Sequence, residues 1–302
     1  MNKIVNIIKP TGMTSHDVVS AVRKTLNIKK VGHTGTLDPD ASGVLPICIG
    51  KATKVSELIL NKDKSYICEL TLGITTDTYD SSGEILKKVE NFNFTKDEIE
   101  KAFDSQRGHI EQLPPMYSAL KVNGKRMCDL VRSGRADEIK LKTRPVHIKK
   151  LDVLSINEEK IMFYVKCTKG TYVRSICYDI GEILGCGGHM SFLLRTQSGK
   201  FNLENGITLE QLKEFNENNT LDKHLYDIDY VLSNFKSIVI HPNAEKYYIN
   251  GGIIDERRFL EKNFDENDEY VRVYSQTQFL GVGKLSKKDN IVNVKSDKLF
   301  IV

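Results

Sequence analysis

The sequence predicts an α+β protein, with a central mixed, mainly antiparallel sheet and a smaller β-rich module after it. Three observations predict this. The runs Tyr66 to Leu72 and Ile161 to Cys167 alternate with the period of two expected of half-buried strands. Helices signed by N-terminal capping residues are interspersed with such runs, but not in regular βαβ units. Beyond about residue 236 the texture changes to short alternating runs separated by polar turns. The expected division is therefore 1–236 for the large domain and 237–302 for the module.

The elements follow in chain order. Residues 3–8 form a strand, and Thr14 with Asp17 makes a capping box that opens a helix whose Val18, Val19, Val22 and Leu26 share a face. In the next strand Tyr66, Cys68, Leu70 and Leu72 line one face, Glu69 and Thr71 the other. Thr95 and Glu98 open a second helix, Phe94 and Ile99 staple its start, and Gly108 is placed to stop it. After the 161–167 strand and a turn at Lys169-Gly170, Val173, Ile176, Cys177, Ile180 and Leu184 recur at helical spacing up to Gly185, which puts Arg174 in a first helical turn. Thr208 and Gln211 cap a further helix, stapled by Ile207 and Leu212. The module's strands fall at 269–274, 279–285 and 291–294.

Length and composition suit a folded protein of one large and one small domain: 302 residues, 40% hydrophobic and 28% charged. The apolar run Ile4-Val5-Asn6-Ile7-Ile8 is too short and too interrupted for a signal-peptide core, and no stretch approaches membrane-spanning length, so a soluble cytoplasmic protein is expected. The six cysteines show no C-x-x-C spacing, which argues against a zinc site or disulfides. A net charge of +4 neither demands nor excludes a nucleic-acid partner. Local clustering says more: Lys121, Lys125, Arg126, Arg132, Arg135, Lys140, Lys142, Arg144, Lys149 and Lys150 form either a phosphate-facing surface or a solvated charged segment.

The stretch from Gly32 to Pro46 is the most unusual in the chain. Glycines at 32, 35 and 43 allow close backbone approaches, and Pro39 keeps Asp38 out of the helical region, so one carboxylate is held in a shaped loop. Such a loop is either a site or a tight turn with a capping Asp. Arg174 bears on the choice. A cation in the first turn of a helix opposes the helix dipole at a cost of a few tenths to about 1 kcal/mol, so it either has an anionic partner or keeps its head in water.

The loop Gly32-His33-Thr34-Gly35-Thr36-Leu37-Asp38-Pro39-Asp40-Ala41-Ser42-Gly43-Val44-Leu45 resembles the catalytic loop of the pseudouridine synthases, and specifically of the bacterial TruB family that acts on tRNA uridine 55. Further blocks match in the same order: Lys9 to Ser15, Lys64-Ser65-Tyr66, Thr76 to Gly83, Pro114 to Lys121, and Lys169 to Ser175. The match spans roughly the first two thirds of the chain. It implies the pseudouridine synthase fold with a cleft across its sheet, an RNA-binding thumb inserted at 126–150, and a PUA-like RNA-binding domain at 237–302. It also implies a stand-alone, monomeric enzyme that isomerises a T-loop uridine of tRNA without cofactor, metal, membrane or guide RNA.

By the same resemblance Asp38 is the essential aspartate, Arg174 its charge partner, and Tyr66 an aromatic that packs on the uracil and moves a proton. Leu193 walls the pocket, and His33 stacks where the flipped base was. Asp80 contacts the target loop or orders the pocket. Lys64, Tyr172, Arg126 and Arg132 are assigned to substrate binding. The chain departs from the family pattern at Cys128, where an aromatic is usual, and at Leu194, where a second arginine is frequent. Three rival readings stay open: an RNA-binding protein without catalysis, a nucleoside N-glycosidase, and a metal-dependent phosphotransfer enzyme built on Asp38, Asp40, Asp77 and Asp80, whose spacing fits no usual ligand set.

Overall fold

The computed structural model describes residues 1–122, 124–265 and 267–301. Its main sheet has ten strands. From one edge they run Leu225–Tyr226, Ile4–Lys9, Ser42–Ile49, Gly188–Ser198, Lys64–Leu72, Lys160–Cys167, Arg144–Asn157 and Gly108–Gln112, with Val31–His33 and Phe201–Asn202 as side branches. All these pairings are antiparallel except one. Gly188–Ser198 runs parallel to Ser42–Ile49 through only two residue pairs, Leu194 with Ser42 and Arg195 with Gly43. The sheet is thus two antiparallel halves joined at a short seam, and the Gly32–Pro46 loop lies at it.

Side-chain alternation decides what covers each face. Val5, Ile7, Leu45 and Ile47 pack under the helix Ser15–Leu26, through Val18, Val19 and Val22, and under Leu212 of the helix Leu209–Glu217. Ile4, Val44 and Cys48 point to the opposite face and meet Phe201, Val282 and Phe300. A strand buried on both faces reads as the nearly continuous apolar run Ile4 to Ile8. In the other half Tyr66, Cys68, Leu70, Phe163 and Val165 pack against Ile176, Cys177 and Ile180 of the helix Val173–Ile183 and Phe103 of the helix Lys96–Asp104.

The capping boxes form as their residues require. Thr14, Thr95 and Thr208 each accept from the amide three residues on, and Asp17, Glu98 and Gln211 accept from the cap's own N–H. One helix end differs from expectation. The helix beginning at Lys96 stops at Asp104, with Ser105 as its cap, and Gly108 instead opens a strand with φ +83°. Local turns from Phe103 to Gln106 and Asp104 to Arg107 end the helix without a glycine.

The expected thumb boundaries also need correction. The hairpin Lys121–Val122 with Lys125–Arg126, the helix Met127–Arg132 and the short turn Ala136–Glu138 share a small core of Met127, Leu130 and Ile139, backed by Met116, Leu120, Val131 and Leu141. This unit starts before residue 126. Residues 144–150 lie in the central strand Arg144–Asn157, where Val146 and Ile148 are core residues.

A second sheet of six strands is drawn entirely from residues 237–299, in the order Ile254–Asp255, Ile291–Leu299, Phe279–Lys288, Tyr270–Tyr274, Ser237–Ile240 and Phe259–Asn263. Its core gathers Ile238, Ile240, Val271, Val273, Leu280 and Val294 around Tyr248 of the helix Pro242–Ile249, an element not foreseen from the sequence. Among the described residues no helix is long and apolar enough to cross a membrane.

Candidate active site

The loop that carries Asp38 leaves the sheet after His33 and rejoins it at Ser42. Side chains hold its backbone from several directions. Ser15 Oγ accepts from the Leu37 amide at 2.8 Å, and the Asp38 carbonyl accepts from Ala41 N–H at 3.1 Å to close the turn over Pro39. The Lys9 ammonium, fully buried, donates to the carbonyls of Pro10, Met13 and Pro39 at 2.8, 2.5 and 2.9 Å. Burial pulls that lysine down to about 8. Gly43, at φ +108°, lies so close to the neighbouring strand that a Cβ there would be 2.2 Å from the Arg195 carbonyl oxygen. No other residue fits.

Asp38 and Arg174 meet. The guanidinium lies 3.1 Å from one carboxylate oxygen through Nε and donates to the other through Nη2 at 3.3 Å, a two-pronged contact across 136 residues of chain. Arg174 is 6% exposed, and its remaining donors are used as well. Nη1 donates to the Thr78 carbonyl at 3.1 Å and to Asp80 Oδ2 at 3.3 Å, and Nη2 to the Tyr117 carbonyl at 3.0 Å. Asp80 in turn accepts on Oδ1 from Thr78 Oγ1, Ser82 N–H and Ser82 Oγ at 2.7, 3.0 and 2.6 Å. One arginine therefore joins the loop, the 76–83 turn and the start of the small 116–141 unit.

The Asp38 side chain keeps 38% of its surface open. Burial pushes its carboxyl above the usual carboxylate range, Arg174 opposes that rise, and Asp80 adds to it. Tyr66 and Leu193 are buried in one cluster with Leu37, on neighbouring strands beside the loop. Burial drives the Tyr66 phenol up to about 12, so it is protonated at neutral pH. His33 accepts from Gly35 N–H through Nδ1 at 3.3 Å, and burial, then the charge of Arg195, lowers its imidazole towards the neutral form. Tyr172 caps the helix that bears Arg174 and is fixed by both amide atoms of Gln112, at 2.8 and 3.0 Å.

Two of the expected binding residues stand apart, and a third turns its charge away. Lys64 is buried with its stem beside Gly35 of the loop, and its ammonium turns back to the carbonyls of Leu60 and Lys62 at 2.5 and 2.8 Å, bracing the turn before its strand. Arg126 is exposed on the 116–141 unit, with Asp129 on its guanidinium at 2.7 and 3.0 Å. Arg132 is exposed at the end of the same unit's helix. Two residues that sequence reasoning did not place at the site do belong there: Lys9, within a quoted block but without a role, and Arg195, next to a departure from the family pattern.

A two-part antiparallel sheet with one loop aspartate locked to a helix-borne arginine at its seam is the arrangement that the resemblance to the pseudouridine synthases implies. Solved structures agree with that class: a chain of an H/ACA RNP bound to a substrate RNA containing 2′-deoxyuridine has a TM-score of 0.76 at 25% identity, covering 99% of this chain and 85% of that one. A Cbf5-Nop10-Gar1 complex gives 0.76 at 28% identity with the same coverage. Residues 23–173 match the N-terminal domain of the TruB family pseudouridylate synthases, and residues 174–233 the C-terminal domain of tRNA pseudouridylate synthase B. The chain is 74% identical to a tRNA pseudouridine synthase B of Clostridioides difficile (strain 630) over 100% of both chains. It is 48% identical to one of Alkaliphilus oremlandii (strain OhILAs), over 96% of this chain and 95% of that one. The chain belongs to the TruB family of pseudouridine synthases, and the relationship extends through the C-terminal module.

Proposed function

We propose that the chain isomerises uridine 55 in the T-loop of tRNA to pseudouridine, with Asp38 acting on a nucleotide flipped out of the loop. One observation carries the reading: Asp38 is clasped at 3.1 and 3.3 Å by a buried arginine while more than a third of its side chain stays open. A carboxylate kept ionic in a closed setting yet reachable suits a reaction that needs an anion beside a glycosidic bond. The relatives named tRNA pseudouridine synthase B, 74% and 48% identical, support the substrate.

The chemistry balances without a co-reactant. The N1–C1′ bond breaks, C5 bonds to C1′, C5 gives up its proton and N1 takes one. Asp38 serves this by attacking C1′, by attacking C6, or by stabilising a cationic sugar on the way to a glycal. Tyr66 and Leu193 form the wall against which the base turns, and a phenol held protonated works there as a hydrogen-bonding group or proton relay rather than as a free phenolate. Extruding the uridine costs a few kcal/mol. His33, as a neutral ring, offsets roughly 1–3 kcal/mol of that by stacking in the gap. Asp80 and Tyr172 hold Arg174 and its helix in place. In this scheme residues 1–236 carry the chemistry, Arg132 and its neighbours on the 116–141 unit meet the phosphates, and residues 237–302 contact the RNA further out. The enzyme works as a cytoplasmic monomer without guide RNA.

The test incubates the purified chain with unmodified tRNA transcript and a chelator, and maps pseudouridine. One T-loop pseudouridine, at position 55, is expected. A transcript bound but unmodified, cut at the glycosidic bond, or modified only after metal is added overturns the reading.

A further inference from the structure

Arg195 is 1% exposed, the largest of the fully buried side chains, and no carboxylate lies within ion-pair distance of it among the described residues. Its hydrogen bonds go to one place. Nε donates to the Val44 carbonyl at 2.7 Å, Nη1 to Thr36 at 3.4 Å and Nη2 to Gly35 at 3.3 Å. These carbonyls flank Asp38 on both sides. Directly opposite Arg195 on the adjacent antiparallel strand is Tyr66, whose side chain leaves the sheet on the same face.

Burying a guanidinium without an anion costs several kcal/mol before its hydrogen bonds are counted, and an apolar side chain of the same size often fills such a space at no loss of stability. The charge also weakens its neighbours, for it lowers the protonation of His33, Lys64 and Lys9. Filling the core does not account for a cation here. The seam does. Backbone pairing ties the loop's return strand to Gly188–Ser198 through two residue pairs only, so the fan of donors from Arg195 supplies the fastening that the ladder lacks.

We propose that Arg195 is a positioning residue for the isomerisation: by gripping the carbonyls of Gly35, Thr36 and Val44 while standing against Tyr66, it fixes the distance between the Asp38 carboxylate and the wall on which the uracil turns. This rests on the isomerase function proposed for Asp38. Displacement of a reacting group by about 1 Å costs on the order of a hundredfold in rate, whereas RNA contacts made elsewhere are untouched.

The experiment compares wild type, R195M, R195K, Y66F and the double variant R195M/Y66F on unmodified tRNA transcript, measuring single-turnover rate, tRNA affinity and melting temperature. R195M is expected to lose about a hundredfold in rate while its affinity stays within threefold and it melts as a folded protein. R195K recovers part of the rate, since one ammonium cannot reach all three carbonyls. The double variant falls short of the product of the two single losses, because both residues set the same gap. Unchanged rate in R195M overturns the proposal, as does a parallel fall of rate, affinity and melting temperature, or full additivity with Y66F. A wild-type chain that makes no pseudouridine overturns the functional reading instead, and this inference with it.

Discussion

The proposed reaction needs Asp38 as an anion, and the surroundings of that carboxylate pull its titration in two directions. Burial raises its pKa and Arg174 lowers it, with a net rise. A group whose folded pKa is raised stabilises the fold most when protonated, so that contribution is present at low pH and fades as pH rises through the folded value. Activity follows the opposite course. The rate is expected to fall as pH drops through a point above the ordinary carboxylate range, and R174M, which removes the opposing charge, is expected to move that acid limb to higher pH while R174K holds it nearer the wild type. Single-turnover rates from pH 4 to 8 decide it; an acid limb in R174M at or below the wild-type position counts against the pairing. Asp38→Asn is expected to abolish turnover with tRNA affinity within a few fold, and equal damage to both would make Asp38 a structural residue. The shaped loop and the cation at a helix start stood out in the sequence as local signs, but each left two readings open, and only the family resemblance paired Asp38 with Arg174. Asp80's hold on Arg174 and the buried charge of Arg195 were not legible there, since they depend on contacts between segments 94 and 160 residues apart.

Elements whose signals are local were legible as well. The three capping boxes form at the residues that sign them, and Thr95→Ala is expected to cost about 1 kcal/mol, read by denaturant unfolding, because the cap satisfies an end amide that no other group reaches. The helix end before Gly108 and the limits of the 116–141 unit were less legible: a glycine with positive φ serves a strand start as well as a helix stop, and Val146 and Ile148 join the sheet through partners distant in sequence. In the proposed scheme that unit meets the phosphates, and the pairing of its charges decides which side chains are left to do so. Arg126 is matched by Asp129 and Arg135 by Glu138, whereas Arg132 and Lys140 have no carboxylate within ion-pair distance among the described residues. R132A/K140A is therefore expected to weaken tRNA binding and reduce the log–log salt slope by about 0.7–0.9 for each phosphate no longer neutralised. Arg126→Ala should change it less. A slope unmoved by the double substitution would take this unit away from the phosphates.

At the scale of the whole molecule, the C-terminal module is packed onto the main sheet rather than tethered to it. Val282 and Phe300 enter the cluster formed by Ile4, Val44, Cys48 and Phe201, and Phe279 stacks on Phe300 with ring centroids 5.6 Å apart. Lys54 Nζ donates to the Leu299 carbonyl at 3.2 Å, and Lys51 to that of Ile301, so the last strand is tied by its backbone too. Alternating runs announced the module's strands, but nothing in a sequence of short β segments says which of its apolar residues face outward to a neighbour. Phe300→Ala removes the buried ring nearest the chain's end and is expected to cost about 3–5 kcal/mol. The loss falls on the junction, so calorimetry should show the module melting ahead of the main sheet in the variant, where the wild type melts with the two coupled. Because Arg195, Arg174 and Asp38 lie in the main sheet, in a helix packed on it and in a loop anchored in it, the rate at saturating tRNA should hold below the first transition while half-saturation moves to higher tRNA concentration. A variant that melts like the wild type would show that Phe300 does not join the two parts, and one that loses rate at saturation would place the module's influence inside the active site.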